Sequence, residues 1–440
     1  MTEVGSEIRA ERRLPAPLWW SVLSGVLLIV VLAGFTVWAN FWTPTNVYLQ
    51  DFDSYVASGL AARAGEPLYE PGVSNLPMIG GTFKYTPFAA GVFAVLSLVP
   101  GLLLSMVALL GNLFALLAII WISLGRLGYA ADHGRLAATV ALSAVALPLQ
   151  PVLMNFTVGQ VNLLLVLVVL ADLTGRDRRW SGIGVGLAAA IKLTPGFFVI
   201  YLLLTRRFRA AAVATGTFVL TVGLGFVGLP HDSSLFWSAN LADPSRITGK
   251  DNAMVPENQS VRGVLARILD LGDVSSLVWV PVAAVVALAA LWIAVRAHRQ
   301  GRELLAVSVV GMAMVLVTPW TWTHYWVWLV PFFVMAACAV WQSRKWWPAE
   351  ALVAVYLLMF GWLVSDRVDA PIVGLVVLPD DYPPFLQAVT HTLYVVIALG
   401  LFLLAALKPG WLNPRQDWGL PVLRSEPAEV SGSGARRETS

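Results

Sequence analysis

Apolar residues in this chain come in runs of near-spanning length separated by short polar stretches. The runs fall at 18–38, 102–124, 136–150, 160–173, 181–194, 196–204, 211–229, 276–296, 303–318, 325–341, 348–365 and 385–407. A hydrocarbon core ~30 Å thick is crossed by ~20 helical residues. The pattern therefore predicts an all-α, polytopic membrane protein with about twelve transmembrane helices. The run at 196–204 is short and follows Pro195, which predicts a kinked or partial span. Residues 53–64 read as a short amphipathic helix ended by Gly65 and Pro67. The run at 86–100 reads as an interfacial or re-entrant helix, because a full span there would put the Arg126/Arg135 and Arg176/Arg178/Arg179 loops outside.

Basic residues set the orientation. Arg9, Arg12 and Arg13 precede the first run and predict a cytoplasmic N-terminus. That run is longer than a signal-peptide core and lacks a small-x-small cleavage pattern, so it reads as a retained anchor. The inner connections then hold Arg206, Arg207 and Arg209, then Arg296, Arg299 and Arg302, then Arg344 and Lys345, and last Lys408. The outer face receives the long loops 39–101 and 230–275, the turn 319–324 and the loop 366–384, all rich in Asp, His, Asn, Gln, Trp and Pro. The predicted organisation is a cytoplasmic segment 1–17, one membrane domain 18–408 and a disordered cytoplasmic tail 409–440, in a bacterial plasma membrane.

Composition narrows the class. Of the 440 residues 58% are hydrophobic and 12% charged, with a mean hydropathy of +0.73, unlike a soluble globular chain. The single cysteine, Cys338, lies inside an apolar run, which excludes a disulfide framework and a cysteine metal cluster. Net charge is only +3, so the basic balance reflects topology rather than a nucleic-acid partner. Acidic residues are scarce and do not cluster at ligand spacing, so no metal is expected.

Several polar groups stand out on the outer side. Asp51 and Asp53 follow the first run and are either a catalytic base with its neighbour or solvated loop acids. Lys192, in Ile191-Lys192-Leu193-Thr194-Pro195, is either a snorkelling anchor or a partner for a phosphate. Basic anchors belong on the inner side, which favours the phosphate. Gln160 and Asn162, beside Gly159, serve either helix capping and inter-helix bonding or recognition of sugar hydroxyls. Arg262 has a phosphate or a loop acid as its candidate partner. Asn258-Gln259-Ser260 and Asn155-Phe156-Thr157 fit glycosylation sequons, discounted because the Ala/Gly/Val/Arg-rich composition is bacterial in character. Trp320, Trp322 and His324 are either belt residues or a stacking surface for sugar rings. All these groups map to one face. A transporter would place its key polar groups at mid-depth, on broken helices in matching halves. Neither feature is evident, so an enzyme at the membrane surface is favoured over a lipid or sugar transporter or flippase.

Taken in order, these residues resemble the GT-C superfamily of polyprenyl-phosphate-sugar-dependent glycosyltransferases. They are most similar to glycosyltransferase family 87, the actinobacterial α-mannosyltransferases that include the phosphatidylinositol-mannoside enzymes. The resemblance covers roughly residues 45–340. It rests on Asp51-x-x-x-Tyr55, Gly65-x-Pro67-Leu68-Tyr69, Phe83-x-Tyr85-x-Pro87, Gly159-Gln160-Val161-Asn162, Ile191-Lys192-Leu193-Thr194-Pro195, Asn258-Gln259-Ser260 with Arg262, and Trp322-x-His324. Thr86 stands where many relatives have a second proline. Tyr325 stands where some have a second histidine, so a two-histidine site is not implied.

The resemblance implies a GT-C-type helical bundle with an extracytoplasmic site and cytoplasmic termini. It implies Asp51 as catalytic base, Lys192 facing the lipid phosphate and His324 at the active site. Asp53, Tyr55, Lys84, Tyr85, Gln160, Asn162, Asn258, Gln259, Arg262 and Trp322 complete the expected substrate-binding set, Asp53 without an assured role. The implied partners are a polyprenyl-phosphate-mannose donor, a glycolipid acceptor of the phosphatidylinositol-mannoside type and the bilayer, with no cofactor and no nucleic acid. The implied reaction inverts a β-linked donor to an α-linked product, α-1,2 in type. An arabinofuranosyltransferase on the same fold is the nearest alternative.

Overall fold

Proline, glycine and isolated polar residues decide where the apolar runs stop being helix. The computed structural model describes residues 49–70, 83–175, 177–240, 253–271, 274–343, 345–361, 363–364, 372–376 and 383–413, with positions 23, 25, 26 and 30. In chain order the helices are α1 Gln50–Ala64, α2 Pro87–Leu96, α3 Gly101–Arg126, α4 His133–Ala146, α5 Gln150–Thr157 and α6 Asn162–Leu173. Next come α7 Ile183–Ile191, α8 Phe197–Leu204, α9 Phe208–Gly228, α10 Pro230–Leu235, α11 Val261–Ile268 and α12 Ser276–Arg299. The last are α13 Glu303–Val317, α14 Leu329–Ser343, α15 Trp346–Leu358, α16 Pro384–Thr390, α17 Leu393–Leu407 and α18 Pro409–Leu412. A 3-10 turn at Thr323–Trp328 leads into α14, and a two-residue antiparallel ribbon pairs Leu363 with Val373.

The protein is a helical, polytopic membrane protein. Four helical segments among the described residues are long and apolar enough to cross a bilayer: Gly101–Arg126, Phe208–Gly228, Ser276–Arg299 and Thr323–Ser343. Two bent pairs, α5 with α6 at 117° and α16 with α17 at 50°, raise this to at most six. The apolar pattern predicts about twelve spans, and several of those runs are shorter helices. The predicted 181–194 run ends as helix at Ile191, and Pro195 sits in a 3-10 turn before α8. The run from 160 is the second half of a broken pair, not a continuation of α5. The predicted 53–64 and 86–100 helices are present as α1 and the ten-residue α2. The first predicted span, apart from four positions, and the segments 1–17 and 414–440 lie outside the described residues. Residues 409–413 belong to the composition-predicted tail, yet α18 packs there: Leu412 is buried, and Arg302 Nε donates to the Asn413 carbonyl at 2.7 Å.

Most of the core lies among α3, α6, α8, α12, α13, α14 and α17. A second, aromatic cluster joins α1 and α2 to the segments around them, through Phe52, Tyr55, Tyr69, Phe83, Tyr85 and Phe93. The two helices close on each other at Gly59, where a Cβ would collide with the Phe93 carbonyl.

Two polar ends follow from α6 and α13. Glu303 opens α13 and accepts from Arg207 Nη1 at 2.9 Å and Tyr201 Oη at 2.8 Å, with His298 Nδ1 at 2.5 Å. Arg207 also reaches the carbonyl of Leu173, the last residue of α6, at 3.4 Å. The connection that holds Arg207 and the one between α12 and α13 therefore lie together, beside the end of α6. Thr318, just past the other end of α13, lines a cleft with Asn162, the first residue of α6.

Candidate active site

The site is built where α1 docks on the break between α5 and α6. The backbone N–H groups of Asp51 and Phe52 both donate to the Val158 carbonyl, at 3.0 and 3.2 Å. Gly159 makes this approach possible: its φ is +74°, and an added Cβ would lie 2.5 Å from the Phe52 Cβ. The dock places Asp51 in the first turn of α1, where the helix dipole favours a carboxylate.

Gln160 is the hub. Its Nε2 donates to Asp51 Oδ2 at 2.6 Å. Its Oε1 accepts from Tyr55 Oη at 3.1 Å, Tyr85 Oη at 3.2 Å and Asn162 Nδ2 at 3.2 Å. The two tyrosine oxygens are themselves 2.6 Å apart. An ionised carboxylate only accepts, so the amide nitrogen must face Asp51, and the surrounding donors fix the amide orientation. Burial pushes the Asp51 carboxyl above its ordinary value of 3.8, while the Gln160 hydrogen bond and the charges of Lys84 and Lys192 pull it back.

Asn162 extends the network to a cation. Its Oδ1 accepts from Lys192 Nζ at 3.0 Å. Lys192 follows α7 in extended backbone, and its ammonium sits 3.4 Å from the Tyr325 ring centroid and 5.7 Å from that of Tyr85. Such a seat holds a cation by its charge on the ring face. Asn155 and Asn162 donate to the His324 carbonyl at 2.9 and 3.3 Å, tying the 323–328 turn to the break.

The His324 ring is buried, and neither of its nitrogens has a hydrogen-bond partner among the described residues. The ring lies parallel to half-buried Trp322 at 6.4 Å and edge-on to Tyr325 at 4.8 Å. A buried polar atom without a partner costs ~1–3 kcal/mol, and both ring nitrogens stand in that position among the described residues.

The structure thus brings Asp51, Tyr55, Tyr85, Gln160, Asn162, Lys192, Trp322 and His324 into one neighbourhood. Asp53 and Lys84 are exposed beside it, with Lys84 acting on Asp51 through its charge. Asn258 and Gln259 are fully buried and spend their amides on backbone. Asn258 Oδ1 accepts from Thr321 N–H at 3.1 Å, and Gln259 Nε2 donates to the His391 carbonyl at 2.6 Å. They staple the segment leading into Trp322 and His324. Arg262 is half-buried on the first turn of α11. Sequence reasoning missed Asn112, whose Nδ2 donates to the Gln160 carbonyl at 3.1 Å, Asn155 as the tie to His324, and Tyr325 as the seat of Lys192. A lone asparagine in the apolar 102–124 run was the available signal for Asn112.

The sequence profile of glycosyltransferase family 87 matches residues 83–319. The chain is 33% identical over 373 residues to the Mycobacterium tuberculosis polyprenol-phosphate-mannose-dependent alpha-(1-2)-phosphatidylinositol pentamannoside mannosyltransferase, covering 82% of this chain and 81% of that relative. It is 34% identical over 357 residues to the polyprenol-phosphate-mannose-dependent alpha-(1-2)-phosphatidylinositol mannoside mannosyltransferase of the same organism, covering 78% and 80%. A Mycolicibacterium smegmatis pentamannoside mannosyltransferase is 31% identical, covering 81% and 84%. No solved structure matches. With the family profile spanning more than half of the chain and these relatives covering most of it, the protein belongs to glycosyltransferase family 87.

Proposed function

We propose that this glycosyltransferase is an inverting GT-C-type enzyme of the plasma membrane. It transfers mannose from polyprenyl-phosphate-mannose to a lipid-linked glycan acceptor of the phosphatidylinositol-mannoside type, in α-1,2 linkage, at the outer face. The observation that carries the reading is the continuous chain Asp51–Gln160–Asn162–Lys192, which holds a carboxylate and an ammonium at one site. The relatives' names supply the donor and acceptor class.

The chemistry follows from those groups. The acceptor hydroxyl attacks the anomeric carbon and gives its proton to Asp51. The bond from that carbon to the phosphate oxygen breaks, and its electron pair leaves on the polyprenyl phosphate. Lys192, with Lys84 nearby, stabilises the charge that grows on that oxygen. One direct displacement inverts the anomeric centre, from β to α. A monophosphate leaving group lessens the need for the metal that sugar diphosphate donors often require. The His324 nitrogens and the Trp322 face are placed to meet hydroxyls and the apolar face of a sugar.

Purified protein, labelled polyprenyl-phosphate-mannose and phosphatidylinositol-mannoside acceptors test the reading. The expected product is the acceptor with one further α-linked mannose. Transfer only from an arabinofuranosyl donor would replace the sugar, and sugar crossing a bilayer with no new glycosidic bond would sink the enzyme reading.

A further inference from the structure

Asp51 and Lys192 carry opposite charges that act on each other within one site. Among the described residues they nevertheless make no ion pair. Where little water reaches, unlike charges attract far more strongly than in bulk water, and a lysine stem is flexible enough to close on a nearby carboxylate. A contact pair would lower the carboxylate's affinity for a proton and take up N–H groups of the ammonium. Both groups would then be lost to the transfer reaction. Their separation needs a cause in the fold.

Each charge has its own neutral holder. Asp51 Oδ2 accepts from Gln160 Nε2 at 2.6 Å. Lys192 Nζ donates to Asn162 Oδ1 at 3.0 Å and rests 3.4 Å from the centroid of the Tyr325 ring. A ring face attracts an ammonium by its quadrupole and carries no net charge of its own. Tyr325 belongs to the 323–328 turn, and the His324 carbonyl of that turn accepts from Asn162 Nδ2 at 3.3 Å. Asn162 therefore fixes the ring and the ammonium together. Lys192 and Tyr325 also line one cleft with Thr194 and Thr318.

We propose that Tyr325 is a positioning residue whose ring seats the Lys192 ammonium away from Asp51, so that the carboxylate stays free to take a proton and the ammonium stays free to meet a phosphate. The inference rests on the roles given to Asp51 and Lys192 under Proposed function and adds what keeps the two apart. The ring face carries the attraction, so the Tyr325 hydroxyl is dispensable. The other charged group acting on Asp51 is exposed Lys84. The remaining titratable neighbours are Tyr55 on α1, Tyr85 before α2, and His324 beside Tyr325, which feels both lysines.

The test grades the ring. Tyr325→Phe and a series of phenylalanines with one to three ring fluorines at position 325 are compared in full-length protein in nanodiscs. Fluorine draws electron density from the ring face at almost constant size, so a packing role gives a flat series. Mannosyl transfer from polyprenyl-phosphate-mannose is expected to stay within about twofold of the parent in Tyr325→Phe. Donor KM should then rise stepwise with fluorine to about fivefold, the scale of a cation held on a ring. A flat series, or a tenfold loss already in Tyr325→Phe, overturns the proposal.

A second readout needs no turnover. The Asp51 carboxyl is titrated by infrared spectroscopy of isotope-labelled protein, with Asp51→Asn identifying its band. Tyr325→Leu frees Lys192 to approach Asp51, which favours the ionised carboxylate, so the midpoint should move to lower pH. The same substitution in a Lys192→Met background should leave it in place. A midpoint that rises or stays put in Tyr325→Leu, or falls equally without the lysine, overturns the charge separation. Failure of the unsubstituted protein to transfer mannose would instead remove the functional reading, while the titration still decides whether the ring keeps the charges apart.

Discussion

Gln160 Nε2 and Asp51 Oδ2 meet at 2.6 Å across 109 residues of sequence. That contact joins a helix start to the broken α5–α6 pair, holds the candidate base in place and counters part of the upward push that burial gives its carboxyl. It also gives the acid residue its distinction from Asp53, two positions away and exposed.

Replacing Asp51 by Asn removes the proton acceptor while preserving shape and one hydrogen-bonding oxygen. Transfer should fall by about 10²–10⁴ in kcat, the usual size of a general-base contribution. Thermal unfolding and donor binding should stay close to those of the parent. Near-parental turnover would remove Asp51 from the role.

The pH profile carries a sign. The base works ionised, so the rate falls as pH falls through the Asp51 pKa, which burial holds above the ordinary 3.8. The Gln160 hydrogen bond stabilises the ionised form. Gln160→Met should therefore shift the acid limb of kcat/KM to higher pH. An acid limb that stays in place, or moves to lower pH, would show that another group titrates.

Lys192→Met keeps the aliphatic stem against Tyr325 and deletes the charge. Donor KM should rise about ten- to a hundredfold, since a hydrogen bond to a charged group is worth ~1.5–3 kcal/mol. Acceptor KM should not follow. If donor KM does not move, the lysine is a structural partner of Asn162 and Tyr325 only.

His324→Phe separates function from stability. Phenylalanine keeps the ring between Trp322 and Tyr325 and removes two buried nitrogens that bond nothing within the described residues. The unfolding temperature should hold or rise, while transfer drops about five- to tenfold as the sugar loses a hydrogen bond of ~1–1.5 kcal/mol. A loss of stability at unchanged turnover would make the histidine a packing residue.

Much of this site is legible in the order of residues. Asp51, Tyr55, Gln160, Asn162, Lys192 and His324 are polar groups in a chain that is only 12% charged, and burial of such groups needs a reason. Asn258 and Gln259 look similar in sequence, yet their amides bond backbone at Thr321 and His391. Nothing local distinguishes an amide that bonds the Asp51 carboxylate from one that staples a turn. The seat of Lys192 on Tyr325 is likewise a contact between distant segments, beyond any periodicity.

What the sequence by itself determined is the class: helices, membrane, a polar face and a set of candidate groups, because hydropathy and the cost of buried charge act residue by residue. Only the tertiary structure decided which helices stop short and which amide meets Asp51. The 117° break between α5 and α6 and the dock of α1 at Gly159 come from packing between elements far apart in the chain. Where hydrogen bonds close over more than a hundred residues, the partner is chosen by the fold.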